Sequence, residues 1–440
     1  MKFVDYVPSA APSLEQQRDA LQKGLGRALQ WALRRRLDDE PLLEACLRDQ
    51  RFDMQVEGPR GDWLWRMVQA VGTTERFRVP ILHALYDLSD DRGAEQLCEL
   101  ARCYAERGDE TFRTRLYEIV EQKPCADSPW LGEKEIVAVD GEQAFLFAVG
   151  VRGRRLAGRE WEWDDGSLID LATERFGEGR VSGLLEASSD LEVNRFRESW
   201  RLDKQRRPEQ QRPVADRERV AATPVEEIIR AAAGESKYSR FRVWGRYADE
   251  SDLRRILPHL WAELDPKAIA NLLKVFSVRA LPEFDGRLIE LCRHSDAEVQ
   301  RRAFSALEQN AHPLIREFAL TELQGGLRDG SVAALFINNY RQGDEQRILE
   351  AMAPPEDECD LHWLLLDVIK VLEKNPEADC SRLAVVGYAL TPCETCRLYA
   401  TRLLLNKQIA PEWLKEECRH DSVRDCRELA AKSAGSTNIG

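Results

Sequence analysis

One pattern recurs three times in the C-terminal half of this 440-residue chain. Val299 is followed by Gln300, Ala303 and Leu307; Ile315 by Arg316, Ala319 and Leu323; Cys396 by Arg397, Ala400 and Leu404. Positions i, i+4 and i+8 share one face of an α-helix, and alanine at the middle position admits a neighbouring backbone at close range. Helices with such a narrow apolar stripe must be covered by other helices. The composition agrees: 43% of residues are hydrophobic and 32% charged, which suits thin helical layers with much surface.

The stretch from Asp296 to Leu307 resembles the second helix of a HEAT-like (armadillo-type) repeat. The resemblance is carried best by residues 295–325 and more loosely by 224–433. It implies stacked two-helix units that bury each other's apolar faces and leave a surface for holding a protein or a nucleic acid. After Pro224, breaks near Gly234, Asp249, Asp265, Pro282, Ser295, Pro313, Gly330, Gly343, Pro354-Pro355, Pro376, Pro392 and Pro411 cut the chain into helices. Paired, these give units of about 35–45 residues, an irregular version of the HEAT-like period.

The N-terminal half is also read as helical, but it matches no nameable repeat. Ser13 and Gln16 fit a capping box at the start of one long helix from Ser13 to Leu37, with Leu14, Leu21, Leu25, Leu29 and Leu33 as its stripe. Shorter helices follow at about 40–50, 60–71, 73–88, 91–107 and 109–122. Residues 136–151 carry two signals. Partial alternation around Asp140-Gly141 suggests a hairpin, while Ala144, Phe145 and Ala148 make a helical face behind Asp140. Helical surroundings favour the helix. Asp164-Asp165 is read as the cap of a helix ending near Phe176, and two further helices run to about Leu202. From Asp203 to Thr223 the apolar signal disappears. The expected organisation is an all-α chain: an N-terminal helical domain over 1–202, a polar mobile linker over 203–223, an irregular α-solenoid over 224–433, and a frayed tail over 434–440.

The chemistry-bearing residues are sparse. Cys359 and His362 are spaced C-x-x-H, and Cys393 and Cys396 are spaced C-x-x-C some thirty residues on. Four soft ligands in two pairs could close a tetrahedral zinc site that staples adjacent helical pairs. The competing reading is packing, because Cys396 fills the slot that Val299 and Ile315 fill elsewhere, and cysteine is often a small buried hydrophobe. Trp161 and Trp163 lie in an aromatic-acidic cluster and are candidate partner anchors, weighed against simple packing beneath a helix cap. Cys98 and Cys103 read as core or semi-exposed thiols, and Trp63 and Trp65 as the core and rim of one helix. Arginines at 152–159 and 201–219 read first as solvated faces and only second as a nucleic-acid patch.

The P-loop, dinucleotide-binding, zincin and nucleophile-elbow motifs do not occur. The formal net charge of −13 opposes a phosphate backbone unless the basic residues are segregated. No run approaches the ~20 apolar residues needed to span a bilayer. Eleven scattered cysteines suit a reducing cytoplasm. The expectation is therefore a non-catalytic, cytoplasmic interaction scaffold with a protein partner and no cofactor. The alternatives are a nucleic-acid binder or base-repair enzyme, by fold-level analogy with HEAT-like alkylation-repair glycosylases, and a zinc-stapled structural solenoid.

Overall fold

The structure is a computed structural model, and it describes residues 11–88, 93–125, 128–157, 164, 166–206, 218–234 and 238–435. Among these residues the chain is helical throughout, apart from one isolated parallel bridge between Leu327 and Met352. Among them, no helix is long and apolar enough to cross a membrane. The chain divides into two compact units. One comprises Pro8–Glu209 with Glu416–Glu428; the other comprises Met1–Val7, Gln210–Lys415 and Leu429–Gly440. Much of the stretch expected as a linker, 207–217, lies outside the described residues.

The first unit contains α1 (Leu14–Lys23), α2 (Gly26–Leu33), α3 (Asp39–Leu47), α4 (Gly61–Val71), α5 (Thr74–Tyr86), α6 (Ala94–Ala105), α7 (Glu110–Gln122), α8 (Glu133–Leu156), α9 (Ser167–Phe176), α10 (Glu178–Ala187) and α11 (Leu191–Arg206). Helices α2, α4, α6 and α8 stack in order, and α1, α3 and α5 form a second row against them.

The expected long first helix is two helices. The capping box of Ser13 and Gln16 is present. However, Gly24 adopts φ +71°, a left-handed conformation that ends α1, and Leu25 is extended. The break turns Leu21, Leu25 and Leu29 inward and leaves Leu14 and Leu33 exposed. It also admits a visitor from far along the chain. The Ser422 amide donates to Gly24 O at 3.0 Å, and the Trp63 indole donates to His420 O at 2.9 Å. Arg27 Nε donates to both Glu417 oxygens at 2.9 and 3.0 Å, with both side chains buried. Residues near the C-terminus therefore complete the first unit's core, which reading the domains as consecutive stretches did not foresee.

Residues 136–151 belong to α8, so the helical reading holds, with a sharp kink. Gly141 sits at φ 61°, ψ −131° inside the helix. Beyond it, Ala144, Phe145 and Ala148 are buried as one face. The Asp-Gly pair thus marks a change of direction, though not a hairpin.

The second unit contains α12 (Val225–Ala232), α13 (Tyr238–Tyr247), α14 (Glu250–Ala262), α15 (Pro266–Val275), α16 (Arg287–Leu291), α17 (Ala297–Leu307), α18 (Pro313–Leu323), α19 (Gly330–Ala334), α20 (Asp344–Ala351), α21 (Glu358–Lys374), α22 (Leu383–Leu390) and α23 (Glu394–Asn406). The last helices are α24 (Glu412–Cys418) and α25 (Arg424–Gly435). Asp249, Asp265, Asp296 and Asp357 are N-caps, and Pro266 and Pro313 open helices at the position where a missing N–H costs nothing. The recurring stripe faces inward as expected: Val299, Ala303, Leu307, Ile315, Ala319, Leu323, Cys396, Ala400 and Leu404 are all buried. Helices α13, α15, α17, α19, α21 and α23 pack successively, each on the next.

A second device joins these stacked helices. Just beyond each one, a side chain or amide bonds to the chain segment beyond the preceding helix. Arg279 donates to Ala248 O. Leu281 N donates to Asn310 Oδ1 at 3.0 Å, and Asn339 Nδ2 donates to Asn310 O at 2.9 Å. Asn375 Nδ2 donates to Ile337 O at 3.3 Å, and Lys407 Nζ to Pro376 O at 2.8 Å. Each link spans 29–38 residues. The three asparagines also donate to the carbonyl four residues back, at Ala306, Leu335 and Val371, satisfying acceptors that a helix end leaves open.

Asn339 also accepts from His312 N at 2.8 Å, so its removal orphans groups on both sides of a joint. Asn339→Ala is expected to lower stability by about 1–3 kcal/mol. Its neighbour Asn338, with one exposed bond to Glu308 O, serves as the control and loses well under that when changed to alanine. Urea unfolding of both variants checks the difference. In the first unit, Glu417→Ala leaves a buried guanidinium without its carboxylate and is expected to cost about 3–5 kcal/mol, read in the same way.

Candidate functional site

The two halves of the cysteine–histidine set come from different elements. His362 lies in the second turn of α21, while Cys393 is the N-cap of α23 and Cys396 lies in its first turn. Packing of α21 on α23 brings them together. One donor atom from each of His362, Cys393 and Cys396 lies within 4.8 Å of the others. Cys396 Sγ is 3.5 Å from His362 Nδ1. Both thiols are buried. The Cys393 amide donates to Thr391 Oγ1 at 3.2 Å, which fixes the entry into α23 with Thr391 fully buried.

The two cysteines are not equivalent. A hydrogen bond from Cys396 draws the Cys393 thiol down to about 4, against the opposing effect of burial and with help from His362. The same bond pushes the Cys396 thiol well up, and burial adds to the rise. The two shifts run in opposite directions because the sulfurs share one hydrogen bond at the start of α23.

Cys359, the fourth residue of the sequence set, is one turn before His362 on α21. It is exposed and stands outside the group of three. Trp161 and Trp163 lie outside the described residues. Cys98, Cys103, Trp63 and Trp65 are all buried. The large exposed aromatic residue near the thiol group is Trp363, 57% exposed and in edge contact with His362. Its sequence signal was a lone tryptophan at the edge of an apolar run, which does not distinguish an exposed ring from a packed one.

Of the arginines at 152–159, Arg159 lies outside the described residues, and Arg152 and Arg154 are each paired with carboxylates. Arg152 is buried, donates to Glu133 at 3.0–3.1 Å and to Asp164 at 2.8–2.9 Å, and lies 3.7 Å over the Trp130 ring. Asp164 is thus spent on Arg152 and on the Gly166 amide; α9 is capped by Gly166 without a side-chain bond. Arg154 pairs with Glu121, and Arg201 with Glu186 and Glu198.

These residues adjoin a cavity of about 420 Å³ lined by Trp130, Glu133, Lys134, Glu135 and Arg152, among others. Burial pushes the Glu135 carboxyl up to about 7, partly offset by Lys134. A carboxyl raised in the folded state favours folding on the acid side, and that contribution is lost as pH rises from the ordinary carboxylate range through 7. Glu135→Gln is therefore expected to melt higher than the native chain at about pH 8, the gap closing toward pH 5. Thermal melts across pH check this; a gap that is constant with pH would contradict the burial of a titrating Glu135.

Comparison with known proteins adds no identification: no family profile, no curated protein and no solved structure matches this chain.

Proposed function

We propose that this protein is a non-catalytic interaction scaffold, an irregular HEAT-like α-solenoid that holds a protein partner. The observation that carries the reading is the ladder of links from Ala248 to Lys407, one per stacked helix, beside successive helix packing. A chain built from such one-dimensional contacts gains surface with every unit, and that surface is what repeat proteins use for binding. The polar linker between the halves and the absence of a cofactor are part of the same reading.

A protein partner fits better than a nucleic acid. The net charge is −13, and Arg152, Arg154 and Arg201 are each engaged by carboxylates of this chain. Counterion release has little to draw on there. Trp363 is an exposed aromatic anchor of the kind that dominates protein interfaces. A reducing cytoplasm suits eleven free thiols.

The test is affinity capture from lysate of the native host, with and without nuclease, followed by reconstitution with the purified captured protein. The expected outcome is a stoichiometric protein complex that survives nuclease and loses little affinity as salt rises. Trp363→Ala should weaken that complex by more than tenfold, as loss of a hot spot does at about 2 kcal/mol. Recovery only of nuclease-sensitive material, with affinity falling steeply in salt, would overturn the reading.

A further inference from the structure

We propose that His362, Cys393 and Cys396 form a binding site for one zinc ion, with a three-residue ligand set whose fourth position is taken by water. The argument rests on placement. Zinc holds thiolate sulfur at ~2.3 Å and imidazole nitrogen at ~2.0–2.1 Å in a tetrahedron, which sets a sulfur–nitrogen edge near 3.5 Å. Cys396 Sγ and His362 Nδ1 stand 3.5 Å apart, and Cys393 Sγ completes the group within 4.8 Å. The three donors come from two helices that already pack, so binding requires no refolding.

The register strengthens the case. Cys396 occupies the position that Val299 and Ile315 occupy in α17 and α18, and all three are buried. An aliphatic side chain satisfies that slot by packing alone. Here a sulfur stands in its place, a second sulfur sits at the helix cap, and a neighbouring helix presents an imidazole nitrogen to them. Soft thiolate and imidazole donors select zinc over magnesium or calcium, which prefer oxygen.

Cys393 and Cys396 are buried while His362 is only partly covered, so the open side of the tetrahedron is the histidine side. Water takes that position. Cys359 is exposed on the same helix and does not belong to the set. Zinc here ties α21 to α23.

The experiment uses the full chain without a histidine tag, kept reduced with a phosphine. Metal analysis is expected to give about one zinc per chain, and a chelator is expected to lower the melting temperature. Cobalt(II) added to the stripped protein is expected to give a thiolate charge-transfer band and the visible spectrum of a tetrahedral ion. Cys393→Ser and Cys396→Ser should each weaken binding by more than the ~10–100-fold that loss of an outer-shell partner costs. Cys359→Ser should keep the stoichiometry and the band. Circular dichroism reports whether each variant stays helical. Should either buried variant unfold, the band intensity of the native chain still counts its thiolates. Absence of zinc together with absence of a cobalt–thiolate band overturns the site, and loss of the band in Cys359→Ser overturns its three-residue composition. Neither result depends on finding a protein partner.

Discussion

The helices of the second unit that carry the recurring stripe, α17, α18 and α23, bury it against neighbouring helices. This constraint organises the rest. Val299, Ala303 and Leu307 on α17 need α15 on one side and α19 on the other, and the same holds one step along. Hydrophobic burial is not directional, however, and would tolerate sliding. The links beyond the helix ends remove that freedom. Asn310 bonds to Leu281 N behind it and through its carbonyl to Asn339 ahead of it, so each joint has a fixed register. The apolar faces bring neighbours together, and the hydrogen bonds between successive segments set how far along they meet.

The first unit solves the same problem with charge. Its layers close over Arg27 and Arg152, each buried and each neutralised by carboxylates. Buried ion pairs are poor sources of net stability, because desolvation offsets much of the attraction. They are severe on alternatives: a guanidinium without its partner in that core is very costly. Arg27 finds Glu417 across nearly the whole sequence, 390 residues away. The unit thus needs residues from both ends of the chain before its core is complete.

Much of this was legible in local sequence. Helix breaks were read correctly at Asp249, Asp265 and Pro313 because their chemistry is local. The errors came where local rules leave two outcomes open. A leucine stripe runs through Gly24, and only the left-handed backbone there shows that the stripe is interrupted. Asp164 looks like a cap, but a buried arginine twelve residues earlier donates to both its oxygens. The asparagine ladder was invisible for a different reason. Asparagine after a helix is common, and only the partner across the joint gives Asn310, Asn339 and Asn375 a shared role.

The thiol group was half legible, and the half that was missed is instructive. Spacing identified the two pairs but treated C-x-x-H as a unit. On α21, Cys359 and His362 lie about a turn apart, yet only the histidine meets α23. The other pair works because Cys393 is the N-cap and Cys396 is in the first turn, which aims both sulfurs at one point. At the far end of the same two helices, Lys407 beyond α23 reaches back to Pro376 beyond α21. The N-terminal ends of α21 and α23 therefore meet at the sulfurs, and their C-terminal ends meet at the lysine. The two helices therefore run parallel, and their joint has contacts at both ends.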